Sequence, residues 1–171
     1  LRSVTELDLS EPKNRAVFVA VLNAVLRHLG LAGGTVHCRD ADPARCGVNM
    51  SEVLLARFGR CRVGLVGLQP AILEGLTRTF GPQAVRVVDL NPDNIGRVKC
   101  GVEVWDGETR LGDLVGESDL VLATGSSVVN KTIDGIRAAC AQAGKPLVFY
   151  GNTIAGVAAL EGLERLCPFG Q

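Results

Sequence analysis

The chain has 171 residues, 47% of them hydrophobic, and its 18 basic and 18 acidic side chains cancel in net charge. That is enough apolar residue for a buried core. A neutral surface with 4% aromatics offers neither the field nor the stacking platforms of a nucleic-acid binder, so no nucleic-acid partner is expected. No apolar run approaches the roughly 20 residues of a membrane span, so no membrane partner is expected either, and the opening Leu1-Arg2-Ser3 carries no signal-peptide pattern.

In chain order, Ser10 and Pro12 suit a helix start, and Val17, Val21, Val25 and Leu29 form a helical stripe with Leu22 and Leu26 beside it. Gly30 stops that helix. Thr35–Cys38 is a short strand or loop, and Asp42-Pro43 can start a helical turn. Asn49 with Glu52 has the spacing of a capping box, which predicts a second helix ending at Phe58 before Gly59. A change of pattern follows. Arg62–Gly67 is a short apolar run suited to a strand buried on both faces. A helix over Pro70–Phe80, a strand over Val85–Leu90, a strand over Asp119–Ala123, a helix over 128–143, a strand over Pro146–Tyr150 and a closing helix over Ile154–Leu163 come after it. Residues 91–117 interrupt the alternation with a loop, one arm of a hairpin at Val102–Trp105 and a helical turn at Gly112–Gly116. Strand–helix repetition predicts right-handed crossovers and a mostly parallel, doubly wound Rossmann-like α/β sheet. The domain reading is a mainly helical N-terminal segment over 1–60 and a Rossmann-like domain over 61–171.

Ligands in such sheets bind beyond the carboxyl ends of the strands. The residues at those ends are Gly67, Asp89, Gly125, Ser126, Asn130, Gly151, Asn152 and Thr153, and they are the candidate binding residues. Gly67 either turns the chain from strand to helix or lets a ligand approach the backbone; the spacing around it is not G-x-G-x-x-G. Asp89 either holds a ribose hydroxyl or forms a turn. Ser126 or Ser127 caps a helix whose free N–H groups can hold an anion, and Asn130 can fix a ligand or pin neighbouring loops. Lys131 lacks the frame of a phosphate-loop lysine. Thr153 has the character of a helix cap, and Gly151 of a close-approach position.

Six cysteines are scattered without a C-x-x-C pair. That fits reduced thiols in a cytoplasmic setting rather than a disulfide framework or zinc ribbon. His37-Cys38-Arg39-Asp40 and Cys46 gather thiolate, imidazole and carboxylate, the groups that transition metals select, so His37, Cys38 and Cys46 are the candidate metal ligands; buried thiols and a surface histidine are the plainer alternative. Cys61, Cys100 and Cys140 read as core residues, and Cys167 fits either role. With only His28 and His37 present, no Ser–His–Asp triad can be proposed.

Taken together, His37-Cys38-Arg39-Asp40, Thr124-Gly125-Ser126 with Val129-Asn130 and Thr132, Phe149–Gly156 and Cys167-Pro168 resemble an uncharacterised prokaryotic family labelled for heavy-metal chelation. The resemblance covers about residues 15–171 and is strongest from Asp119 onward. It implies a Rossmann-like C-terminal domain, an enolase-like N-terminal portion, a cleft between them and a link to metal or corrinoid metabolism. The segment before residue 61 is short for an enolase-like domain, which puts a two-domain cleft in question unless a second subunit supplies the other wall. Three functions follow as expectations: a binder of a heavy metal or a small metal-bearing or anionic ligand; an enzyme using a nucleotide-type cofactor (NAD or an S-adenosyl group) in the same crevice; or a structural or subunit-interaction module. A transition metal is the cofactor considered, and a homo-oligomer is a candidate assembly.

Overall fold

Short valine- and leucine-rich runs, too brief and too β-branched for helices, pair side by side at the centre of the molecule. The computed structural model describes residues 3–36 and 42–170. The strands are β1 (Val63–Val66), β2 (Val85–Asp89), β3 (Val98–Lys99), β4 (Val102–Asp106), β5 (Leu120–Thr124), β6 (Leu147–Tyr150) and β7 (Arg165–Leu166). They form one sheet in the order β3-β4-β2-β1-β5-β6-β7. All pairings are parallel except β3 with β4. The four strands expected as parallel neighbours are β2, β1, β5 and β6, adjacent and in that order. With the β3 arm set aside, the parallel strands follow the 3-2-1-4-5-6 order of the doubly wound dinucleotide fold, and the order reverses between β1 and β5.

The helices are α1 (Pro12–His28), α2 (Asp42–Phe58), α3 (Pro70–Phe80), α4 (Leu111–Glu117), α5 (Ile133–Gln142) and α6 (Ala155–Glu161). On one sheet face, Met50 and Leu54 of α2 and Leu73 and Leu76 of α3 join Val63, Leu65 and Leu122 in a single core. Thus α2, although it precedes residue 61, packs into the core of the sheet. Gly47 and Gly75 let α2 and α3 approach so closely that a Cβ on Gly75 would collide with the Gly47 carbonyl. On the other face, Leu114, Ile136, Ile154 and Ala158 cover Val121, Ala123 and Phe149. Among the described residues no helix is long and apolar enough to cross a membrane.

Several local expectations are corrected. The buried residues of α1 are Val19, Asn23 and Leu26, and the stripe Val17, Val21, Val25 and Leu29 is exposed. Both faces of this helix are apolar, so periodicity marks the helix without telling which face is buried. Glu11, not Ser10, precedes α1, and it makes no side-chain cap. Asn49 lies inside α2, which already starts at Asp42, so Asn49 and Glu52 are not a capping box. Helix α5 starts at Ile133 rather than 128, because Gly125–Ser127 forms a 3-10 turn and Lys131 takes a left-handed φ of 58°. Its N-cap position is Thr132, so neither Ser126 nor Ser127 caps it; the N–H of Ser126 instead donates to Thr124 Oγ1. Helix α6 starts after Ile154 without a Thr153 cap, and the short β7 follows it. Cys140 is buried as expected and Cys61 half-buried, but Cys100 is exposed in the β3–β4 turn.

Candidate functional site

Three hollows meet at the carboxyl edge of the sheet. The largest two have volumes of about 930 and 820 Å³, and a third has about 250 Å³. Ser126 borders all three. The 820 Å³ crevice lies at the β1/β5 reversal and is bordered by Gly67, Asp89, Ser126 and Asn130 from the expected set. The 250 Å³ cavity is bordered by Gly125, Ser126, Gly151, Asn152 and Thr153. The 930 Å³ hollow is bordered by Ser126, Asn130, Asn152 and Thr153 together with α1. The eight strand-end residues therefore gather around adjoining spaces rather than in one pocket.

Their chemistry differs. Gly67 has a φ of +88°, and a Cβ there would lie 2.6 Å from Thr124 Cγ2, so the turn itself demands glycine. Gly125 packs against Ile154 in the same way, with a Cβ meeting its backbone nitrogen at 2.9 Å. Gly151 has a φ of +92° and open space around its missing side chain. Asp89 accepts from the N–H of Leu68 at 2.6 Å, the N–H of Asn91 at 2.7 Å and the Asn94 amide at 3.2 Å. Its carboxylate is a turn former that locks the β1 and β2 ends together. Asn152 donates its amide to the Thr35 carbonyl at 3.1 Å. Asn130 is exposed on the rim of two hollows, and its side chain pins no loop among the described residues.

Two helix starts face the 820 Å³ crevice in opposite states. At α3, Pro70 has no N–H, Gln69 Oε1 takes the N–H of Ile72 at 2.7 Å, and Asp89 takes that of Leu68. Two of the donors that could cradle a pyrophosphate are thus taken, and Pro70 offers none. At α5, Thr132 makes no side-chain cap, and Lys131, Thr132 and Gly135 border the crevice. An uncapped helix start with a lysine beside it favours an anion, although Asp134 in the same first turn opposes it.

Tyr150, the chain's single tyrosine, ends β6 and is buried. Its hydroxyl donates to the Gly67 carbonyl at 2.7 Å. Burial pushes the phenol well up, and the charge of Asp89 adds to the rise, so it stays a neutral donor. Helix α1 holds the rims. Arg15 donates through Nε to the Val129 carbonyl, and Asn23 donates to the carbonyls of Asn152 at 3.2 Å and Thr153 at 3.0 Å. Arg165 of β7 holds the Gly151 and Gly33 carbonyls at 3.2 and 2.8 Å. Sequence reasoning did not single out Tyr150, Asn23 or Arg165. A lone polar residue inside the apolar run of α1 was the signal for Asn23; β7 is too short to leave one for Arg165.

Of the candidate metal ligands, His37 and Cys38 lie outside the described residues, and so does Asp40. Cys46 is half-buried and borders the 250 Å³ cavity together with Cys167, Tyr150 and Thr124. Among the described residues, no three histidine, cysteine or acidic side chains are grouped so as to hold a metal ion. The described part of the site thus offers two soft thiols, short of the four ligands of a closed structural zinc site.

A family model described as "Putative heavy-metal chelation", DUF364, matches residues 49–161, more than half of the chain. The chain belongs to the DUF364 family. The match starts within α2 and ends with α6, so it takes in the central strands and the loops of the crevice. Among solved structures, a protein of unknown function from the same family in Pyrococcus horikoshii aligns with a TM-score of 0.55 at 20% identity. The alignment covers 88% of this chain and 50% of that one, so this chain spans about half the length of its structural relative. At that identity the likeness shows the fold. No curated protein matches the sequence.

Proposed function

We propose that this member of the DUF364 family binds a small anionic or metal-bearing ligand in the 820 Å³ crevice at the β1/β5 reversal. The observation that carries the reading is the contrast between the two helix starts: α3 is capped and closed, whereas α5 opens uncapped beside Lys131. The spent donors at α3 and the triply bonded Asp89 weigh against the nucleotide-cofactor alternative, which needs the first helix start for its phosphates and the acid for its ribose. A heavy-metal role fits best where the ligand brings part of the coordination, because Cys46 and Cys167 supply soft donors behind the crevice and share the borders Thr124, Ser126 and Tyr150 with it. His37 and Cys38 remain further candidate ligands in this reading.

The test combines elemental analysis of anaerobically purified protein with calorimetric titration of inorganic phosphate. Phosphate binding is expected to weaken about two- to fivefold in Lys131→Gln, the range of a surface charge at a helix start, and to vanish in Ser126→Trp, which fills the junction of the hollows. Undiminished phosphate affinity in a folded Ser126→Trp variant places the anion elsewhere and contradicts the proposal.

A further inference from the structure

Three sulfur atoms belong to residues around the smallest of the three hollows. Cys46 and Met50 of α2 and Cys167, just after β7, all border the 250 Å³ cavity. Cys46 and Met50 stand four residues apart, so they share one face of the helix. Two contacts hold the C-terminal segment along α2. Arg57 pairs with Glu164 ahead of β7, and the Arg45 guanidinium lies 5.0 Å from the centre of the Phe169 ring. Cys46 and Met50 fall between these anchors on the helix, and Cys167 falls between them on the segment. Leu166 packs against the core cluster that holds Met50 and also receives Cys46. The turn after Cys167 is fitted to the thiol: a Cβ on Gly170 would lie 3.0 Å from Cys167 Sγ and 3.0 Å from the Gly34 carbonyl oxygen.

Most other polar groups around the cavity are committed elsewhere. The Tyr150 hydroxyl donates to the Gly67 carbonyl at 2.7 Å, and Gln69 Oε1 accepts from the N–H of Ile72 at 2.7 Å. Thr124 Oγ1 accepts from the N–H of Ser126 at 3.3 Å, and the Asn152 amide donates to the Thr35 carbonyl at 3.1 Å. Among the described residues no carboxylate, imidazole or ammonium group borders the cavity. The donors with real affinity for a metal are therefore two thiols and a thioether, with the neutral hydroxyls of Ser126 and Thr153 as weak oxygen donors.

We infer that this cavity binds a bare soft cation of the Cu(I) class through the thiolates of Cys46 and Cys167, with the Met50 thioether as third ligand. Thiolate and thioether ligands select soft cations, whereas calcium and magnesium need the carboxylates that are missing here. Zinc in a closed site takes four ligands. A four-coordinate cation would need the crevice ligand to supply the rest, whereas a closed-shell monovalent cation is satisfied by two or three sulfurs. Binding exchanges two thiol protons for one cation, the protons pass to solvent, and no oxidation state changes. The inference goes beyond the crevice reading and uses neither Lys131 nor the start of α5. The family match over residues 49–161 includes Met50 but neither cysteine.

The test is titration of anaerobic, reduced protein with Cu(I) in competition with the chromogenic chelator bicinchoninate. A Cys38→Ser/Cys100→Ser background removes the exposed thiol of the β3–β4 turn and one outside the described residues. The parent and this background are both expected to take up one tight equivalent, which excess Zn(II) or Mg(II) does not displace. In the background, Cys46→Ser or Cys167→Ser is expected to abolish that equivalent. Met50→Leu, close in volume, is expected to weaken it without abolishing it. Circular dichroism of each metal-free variant checks the fold. Cys167 lies outside the helices and strands, so its serine variant decides the matter should Cys46→Ser unfold. Lys131→Gln is expected to leave Cu(I) binding unchanged, and Cys167→Ser to leave phosphate affinity unchanged, so failure here and failure of the crevice reading are told apart. Absence of a tight Cu(I) equivalent in the background protein, or undiminished affinity in folded Cys167→Ser or in Met50→Leu, overturns the inference.

Discussion

Asn23 commits its whole amide to the loop after β6, with two donations to carbonyls and one acceptance from the N–H of Gly156 at 2.7 Å. Replacing it by leucine keeps the volume but strands one buried and two partly buried backbone groups. Asn23→Leu is therefore expected to lower unfolding stability by about 2–4 kcal/mol, measured by urea denaturation. Tyr150→Phe removes the partly buried bond to the Gly67 carbonyl and is expected to cost about 1–2 kcal/mol in the same measurement. Residue roles were legible only where a residue type has few uses. Asp89 at a strand end could be read as ribose ligand or turn former, and only its three partners decide for the turn. Gly67 was likewise ambiguous until its +88° φ and the adjacent Thr124 methyl accounted for the glycine.

At the scale of elements, glycines divide sharply by what surrounds them. A Cβ on Gly75 would meet the Gly47 carbonyl and, at 2.8 Å, Ser51 Oγ, so Gly75→Ala must push α3 off α2. A loss of about 1–3 kcal/mol is expected from overpacking. Gly116, near the end of α4, has nothing within 4 Å of an added Cβ. Gly116→Ala is expected to gain about 0.5–1 kcal/mol, because the unfolded chain loses freedom while the helix accepts the methyl group. Thermal melts of the two variants should move in opposite directions. The sheet strands were legible because a parallel sheet buries both faces of each strand and leaves uninterrupted apolar runs such as Val63–Val66. Helix starts were less so. The sequence after Thr124 has good capping residues, but a left-handed Lys131 delays α5 to Ile133, and no local residue pattern announces that conformation.

At the scale of the whole molecule, the most strongly depressed carboxylate among the described residues lies at the amino edge of the sheet, away from the crevice. The Arg62 guanidinium and backbone N–H donate to Asp119, tying the start of β1 to that of β5, and hold its carboxyl well below the usual carboxylate range. A depressed folded-state pKa contributes stability that is present at neutral pH and lost as pH falls through the acid range below about 4. Asp119→Asn is therefore expected to be less stable than the parent at pH 7, with the difference closing in acid. The pair is largely exposed, so the effect is small and fades in high salt. The parallel sheet and the strand-end location of the crevice were readable from alternation alone. The outward apolar face of α1 was visible as a stripe, but which side of the helix is buried was not, because a helix that is apolar all round gives periodicity nothing to distinguish.

An amide-resolved NMR titration of the folded protein with inorganic phosphate tests whether the crevice beside α5 takes the ligand. Shifts are expected to concentrate on residues 124–135, with Lys131, Thr132 and Gly135 leading and Ala71 to Leu73 at the capped start of α3 little changed. Shifts centred on the start of α3, or none in residues 124–135 at saturating phosphate, would contradict it.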